Sequence, residues 1–262
     1  MEINNTKINE EIFCLNFELK TLAELYCYND AERWVYKFMS KNIENEHLKR
    51  YQYVLQFVRN KNVLDIACGA GYGSYLLAAE GNANSVIGVD MDADAIRYGN
   101  HRYKNDKIVR HIADATHFIH SIKFDVIVCF ETIEHIKDYQ GLINNLYNNL
   151  NVGGLLLISS PITKITNTNP NNPYHVIEWN FYDFQNLFSE KFKVKEILLQ
   201  NIILNRFRMN VIFKVINKVF RYLGFSNLIS NIVQGKDFEV YTNQYNMNLC
   251  DSGYQMLVLE KL

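Results

Sequence analysis

The chain lacks a surplus of either charge. Its 262 residues carry 27 Lys and Arg against 28 Asp and Glu, a formal net charge of −1. Neutralising phosphates takes a basic excess, so this balance argues against a general nucleic-acid binder. Cysteine is sparse, and the five thiols at positions 14, 27, 68, 129 and 250 show no paired spacing. Reduced thiols in a cytoplasmic protein are expected rather than a disulfide framework. No apolar run approaches the length of a membrane-spanning helix. Residues 1–30 hold acids from Glu2 onward and no uninterrupted apolar core, so no signal peptide is expected. Proline is rare, and there is no internal repeat or low-complexity linker. What the chain has is apolar material, 48% of its residues, ample for one domain with additions.

Residues 63–73 are the most informative stretch. The apolar run Asn62-Val63-Leu64-Asp65-Ile66-Ala67 reads as a buried parallel strand, and it breaks into Gly69-x-Gly71-x-Gly73 just before a helical pattern. A strand, a glycine turn and a helix bring backbone close to a nucleotide-like ligand. Glycine spacing alone also suits a dinucleotide-binding domain. Ser74, however, stands where the dinucleotide fingerprint has its third glycine, and Asp65 lies four residues before Gly69. A second apolar strand, Ser85–Val89, ends in Asp90, 19 residues past Gly71, where a carboxylate can accept from both hydroxyls of a ribose.

On these residues the chain resembles the class I S-adenosylmethionine-dependent methyltransferases, in register from about Asn62 to Pro161 and more loosely beyond. The resemblance implies an α/β fold: a doubly wound, mainly parallel seven-stranded sheet, Rossmann-like, with S-adenosyl-L-methionine as cofactor. It implies cofactor contacts from Asp65, Ala67, Gly69, Gly71 and Tyr72 around the turn and from Asp90 on the ribose. Met91 would lie against an adenine face, and Asp114-Ala115 would meet the adenine amino group. Tyr51, Phe130, Trp179 and Phe181 are aromatic candidates for walling the sulfonium and the acceptor, where cation–π attraction is available. An NAD-dependent oxidoreductase is the competing reading, disfavoured by Ser74 and Asp65.

Residues 1–60 read as a helical lid. Ile12, Leu15, Leu19, Leu22 and Leu25 keep a helical spacing, as do Leu48, Tyr51, Val54, Leu55 and Val58. Glu46-His47…Arg50-Tyr51, just before the first strand, resembles a subgroup of bacterial methyltransferases associated with surface polysaccharides. That likeness implies a helix closing over the methionine end, with Arg50 on the cofactor carboxylate. By residue type alone, Arg50 fits a solvated helix face equally well.

Residues 61–201 form the expected core. Strand Phe124–Phe130 delivers Glu131-Thr132-Ile133-Glu134-His135 to the edge of the sheet where open α/β folds place chemistry. If that segment is helical, positions i, i+3 and i+4 project to one side. A polar loop over 162–174 then brings His175 and Trp179 to the same edge. The pattern Glu-x-x-Glu-His with a later His-x-x-Glu-Trp resembles the metal site of small-RNA 3′-terminal ribose methyltransferases. Its first half is similar to the ubiquinone-pathway O-methyltransferases. The likeness implies Mg²⁺ or Mn²⁺ on Glu131, Glu134, His135 and His175, with Glu134, His135 and His175 carrying the catalysis. A divalent ion would lower the pKa of an acceptor hydroxyl and grip two neighbouring oxygens. The plainer alternative is His135 alone as base, the glutamates being supporting acids.

Strand 192–199 and a final antiparallel strand within 236–262 complete the core. Between them, residues 202–235 read as a helical insertion with five basic residues and no acid. It is either a cap on the core or on a second subunit of a homodimer, or a basic amphipathic helix on an anionic membrane face. The expected activity is O-methylation of a sugar hydroxyl in cell-surface polysaccharide biosynthesis, in the cytoplasm or at the inner membrane face. The acceptor would be a glycan, a sugar-nucleotide or a lipid-linked sugar, and no nucleic acid. The alternatives are a metal-free methyltransferase for a quinone or other small aromatic, and a catalytically silent cofactor-binding protein.

Overall fold

A computed structural model describes residues 5–24, 35, 41–204 and 238–262. Its sheet has the strand order β3-β2-β1-β4-β5-β8-β6-β7. The strands are β1 (Asn62–Ile66), β2 (Ser85–Asp90), β3 (Ile108–Ile112), β4 (Phe124–Cys129), β5 (Leu150–Thr163), β6 (Phe192–Leu204), β7 (Glu239–Val240) and β8 (Cys250–Lys261). β1 to β5 are mutually parallel, and β8 inserts antiparallel between β5 and β6. The expected mainly parallel sheet is therefore present, with the two-residue β7 as an eighth strand at the edge.

Strands β1, β2 and β4 are buried on both faces, which is why they read as continuous apolar runs. One core layer joins Ile66, Ile127, Leu156 and Leu257 to Leu142 and Leu146 of α5 (Tyr139–Asn149) and Phe184 of α6 (Phe181–Asn186). The other joins Val63, Val126, Leu157 and Val258 to Tyr51, Val54 and Val58 of α2 (Lys41–Val58) and Leu76 and Leu77 of α3 (Tyr72–Ala79). The strand order reverses between β1 and β4, which opens a crevice at their carboxyl ends.

The segment expected to act as a lid is stitched to the sheet. Arg50 Nη1 donates to Gln200 Oε1 at 2.7 Å, and Gln200 Nε2 donates to the Glu46 carbonyl at 3.1 Å. Asn201 Nδ2 donates to Glu46 Oε1 at 2.6 Å. On its other side Tyr51 donates to Asp65 at 3.1 Å, and Ser74 Oγ donates to the second Asp65 oxygen at 2.6 Å. One buried carboxylate thus ties α2, β1 and α3 together.

Helix α1 (Asn5–Ala23) packs on α4 (Ala93–Arg102), but not through the stripe that announces it in the sequence. Ile12, Leu15 and Leu19 are 51%, 48% and 62% exposed. The buried face is Cys14, Phe17, Glu18 and Thr21. Phe17 stacks on Tyr98 at 4.7 Å, and Glu10 pairs with Arg97 at 2.7 Å. Solvent screens an exposed pair of that kind, whereas burying an aromatic side chain contributes about 1.5–3 kcal/mol. Packing therefore decides which face docks. Leu25 lies outside the described residues.

Residues 202–204, expected to open the insertion, instead continue β6. The rest of the insertion, and with it the expected membrane or subunit contact, lies outside the described residues. Among the described residues no helix is long and apolar enough to cross a membrane.

Burial raises the Asp65 carboxyl to about 6, outweighing the opposing hydrogen bonds from Ser74 and Tyr51. Since the folded value lies above the unfolded value of about 3.9, the contribution of Asp65 to stability is complete below the unfolded value. It is lost as pH rises through the folded one. Asp65→Asn cannot ionise, so between pH 4 and 7 its urea midpoint should fall less than that of the wild type. Parallel pH profiles would contradict this assignment.

Candidate active site

A cavity of about 690 Å³ fills the crevice, with walls from the glycine turn, the ends of β2 and β4, and α2. The turn leaves β1 through residues of positive φ: Ala67 (55°), Gly69 (53°) and Gly71 (83°). Gly71 is the N-cap of α3 in the left-handed conformation, where a side chain would strain the backbone. At Gly73 the constraint is contact: an added Cβ would lie 2.0 Å from the Tyr51 ring. The glycines thus serve two ends, a tight turn and close approach of α2.

Most of the expected cofactor residues meet here. Ala67, Gly69, Gly71, Tyr72, Asp90, Met91, Asp114, Ala115 and Phe130 all line the cavity. Asp90 accepts the Gly69 amide at 2.8 Å and the Asp92 amide at 2.9 Å, so the β2 terminus braces the turn. Met91 stands 77% exposed at the rim. The Asp114 carboxyl is held below its ordinary value by the Thr116 hydroxyl and amide, and so faces the cavity as an anion. Phe130 meets Tyr51 edge-on at 5.2 Å.

Two expected contacts lie elsewhere. Asp65 is buried behind the wall, occupied by Tyr51 and Ser74. Arg50 is 2% exposed, spent on Gln200, 5.2 Å from the Tyr254 ring and 3.8 Å from Glu131. Both brace the cavity and neither lines it.

The segment after β4 corrects the helical expectation. Glu131 has φ 47°, and only Ile133–His135 forms a 3-10 turn. The left-handed residue turns the Glu131 carboxylate toward Ser159, whose Oγ donates to it at 2.6 Å. Glu131 therefore separates from the other proposed metal ligands. Glu134, His135 and His175 do come together, with one ligand atom from each lying within 4.8 Å of the others. The covering loop makes that possible, because the Val176 amide donates to the Glu134 carbonyl at 2.7 Å.

Hydrogen bonds assign the histidine tautomers. His135 Nδ1 lies 3.1 Å from the Tyr174 carbonyl, which can only accept, so the proton sits on Nδ1 and the lone pair on Nε2. His175 Nδ1 lies 2.6 Å from Glu178 Oε1, which orients that ring in the same way. One carboxylate and two imidazoles suit a first-row transition ion such as Mn²⁺ better than Mg²⁺, which prefers oxygen ligands. His135 presents Nε2, whereas His175 Nε2 accepts from Asn172 Nδ2 at 3.1 Å, so the donor set fits an ion that takes the place of that amide.

Among the lining residues given no role from the sequence is His47. His47 sits one turn before Tyr51 on α2 and faces the cavity. Burial, helped by the neighbouring Arg50 charge, pushes it down to about 3, so it is a neutral imidazole at ordinary pH. Its i, i+4 spacing from Tyr51 was the available signal.

Comparison with known proteins agrees with this geometry. A protein of Mycolicibacterium smegmatis, named as a probable S-adenosylmethionine-dependent methyltransferase, is 32% identical over 164 residues, covering 59% of this chain and 62% of its own. A ubiquinone biosynthesis O-methyltransferase of Hydrogenovibrio crunogenus is 28% identical over 117 residues, 42% of this chain and 48% of its own. The chain thus spans between about half and 62% of the length of these relatives. The N-methyltransferase NodS of Bradyrhizobium japonicum, solved with S-adenosylhomocysteine, superposes with a TM-score of 0.58 at 16% identity, over 95% of this chain and 98% of its own. At that identity the likeness shows a shared Rossmann-like fold. The methyltransferase-domain family matches residues 57–222, more than half of the chain and the whole of the glycine turn, Asp90 and the His135 segment, and the chain belongs to that family.

Proposed function

We propose that the chain is an S-adenosylmethionine-dependent O-methyltransferase in which His135 takes the proton of an acceptor hydroxyl. The observation that carries this reading is the placement of His135 on the cavity wall with Nδ1 engaged by the Tyr174 carbonyl, which leaves Nε2 basic. When bound, the cofactor supplies a methyl group already activated by its sulfonium. The chain aligns the acceptor oxygen and removes its proton. Asp90 and Asp114 hold the adenosine end, and Tyr51 and Phe130 exclude water from the methyl. The favoured acceptor is a sugar hydroxyl of a surface glycan precursor, supported by the Glu46-His47…Arg50-Tyr51 likeness. A phenolic acceptor is the alternative, supported by the ubiquinone-pathway relative.

The clustering of Glu134, His135 and His175 favours a second reading for the proton transfer. A divalent ion on these residues would lower the hydroxyl's pKa and orient it, with Glu178 fixing the His175 ring.

S-adenosylhomocysteine should raise the thermal midpoint, as any ligand selective for the folded state does. The absence of a shift would sink the methyltransferase reading. Transfer of labelled methyl into glycoside and phenol panels identifies the acceptor class. His135→Gln should keep S-adenosylhomocysteine affinity within about threefold while turnover falls about a hundredfold or more. Undiminished turnover would remove His135 from the mechanism. After EDTA treatment, added Mn²⁺ should raise the midpoint of the wild type and not of His175→Ala. Indifference of the wild type to Mn²⁺ would leave His135 as an unaided base.

A further inference from the structure

Helix α1 docks with its ionic face inward and its apolar stripe outward. Its acids are Glu10, Glu11 and Glu18, and all three are taken up by α4. Glu10 accepts from Nε and Nη2 of Arg97 at 3.0 and 2.7 Å. Glu11 accepts from Arg102 Nη1 at 2.7 Å and lies 3.1 Å from His101 Nε2. Glu18 accepts from Arg102 Nε at 3.0 Å and from the Tyr98 hydroxyl at 2.8 Å. Phe17 fills the centre of this contact, packed with Cys14, Ala70, Ala95 and Tyr98.

The opposite face is apolar and uncovered. Ile8, 42% exposed, joins the exposed Ile12, Leu15 and Leu19, and their spacing of four, three and four residues lines them up in one stripe. Asn9 and Asn16, beside the stripe, are exposed and uncharged. The cations of the helix, Lys7 and Lys20, are exposed as well. Each stands roughly 110° around the helix from the stripe, on opposite sides. Lys20 reaches Glu24 only at 3.9 Å. With its acids paired to α4, the outer surface of α1 is an apolar band edged by positive charge.

That charge pattern selects the occupant. The stripe could form a coiled-coil seam with a second copy, but such a seam is oriented by opposite charges along its flanks. Here the flanking acids Glu11 and Glu18 are held by Arg102. Two copies would set lysine against lysine, whether the helices ran parallel or antiparallel. An anionic lipid surface satisfies both features: its acyl region takes the stripe, and its phosphates take the lysines, whose long stems let the charge reach outward.

We propose that the outer face of α1 is a docking surface for an anionic lipid bilayer, with Ile8, Ile12, Leu15 and Leu19 entering the interface and Lys7 and Lys20 meeting the phosphates. The proposal is independent of the methyl-transfer reading, since none of these residues lines the cavity.

The test is flotation with vesicles of phosphatidylcholine alone and of equal parts phosphatidylcholine and phosphatidylglycerol. The wild type should partition onto the anionic vesicles, and less as salt rises. Leu15→Gln/Leu19→Gln retains good helix formers and should lower that partitioning about tenfold or more. Lys7→Gln/Lys20→Gln should lower it about fivefold for each lysine on anionic vesicles and leave partitioning onto neutral ones unchanged. No partitioning by the wild type, or partitioning that survives either pair of substitutions, overturns the proposal. Light scattering decides on the rival occupant. A mass of two chains that falls to one chain in Leu15→Gln/Leu19→Gln would assign the stripe to a second copy and overturn the lipid surface. The substituted side chains are exposed, so circular dichroism and the urea midpoint should match the wild type. If the leucine pair disturbs α1, Ile8→Gln/Ile12→Gln decides by the same flotation.

Discussion

The carboxylate of Asp65 is the contact on which the cavity's geometry depends. It is buried at the end of β1, and its two oxygens take hydroxyl donors from different elements, Tyr51 of α2 and Ser74 of α3. Burying a carboxyl without such partners would cost several kcal/mol. The two hydroxyls offset that cost and in return are fixed in place. Fixing Tyr51 sets the distance of α2 from the glycine turn, which is why Gly73 has no room for a side chain. Fixing Ser74 sets the first turn of α3. One strand residue thereby positions two walls of the cavity, and its role is architectural even though its place in the motif suggests ligand contact.

A second layer of charge surrounds this hub. Arg50 and Arg110 are both withdrawn from the cavity, and each spends its guanidinium on groups that shape it. Arg50 joins α2 to β6 through Gln200 and stands 3.8 Å from Glu131. Arg110 holds Gly71. Acids that face the cavity are likewise committed to backbone, as with Asp90 on Gly69. The histidines are oriented in a similar way, His135 by a backbone carbonyl at Nδ1 and His175 by Glu178 at Nδ1 and Asn172 at Nε2.

The half of the cavity proposed for the cofactor was legible in the sequence, because its residues lie at or just past the ends of strands. Gly69, Gly71, Asp90 and Asp114 lie at or within five residues of the ends of β1, β2 and β3, and the parallel pairing of these strands brings their carboxyl ends to one edge. The catalytic half was only partly legible. Sequence spacing suggested a helix carrying Glu131, Glu134 and His135 on one side, but a single left-handed residue at Glu131 sends its carboxylate to Ser159. The periodicity of α1 likewise marked a helix and not its docked face, because docking depends on what α4 offers.

By itself, the sequence determined the order of the strands, the glycine turn and its flanking carboxylates, since these depend on local residue type and on the chirality and register of neighbouring elements. Tertiary structure alone decided which ionic groups reach the cavity. Arg50 and Asp65 were diverted from it by partners 150 and 9 residues distant in sequence, Gln200 and Ser74, while Glu131 lines it but was drawn away from Glu134 and the histidines by Ser159, 28 residues on. His47 and His135 were brought to one cavity by α2 and a 3-10 turn, and His175 was brought beside His135 by a covering loop. No local pattern encodes such choices, because a long charged side chain settles on whichever buried partner the packing of the whole sheet places within its reach.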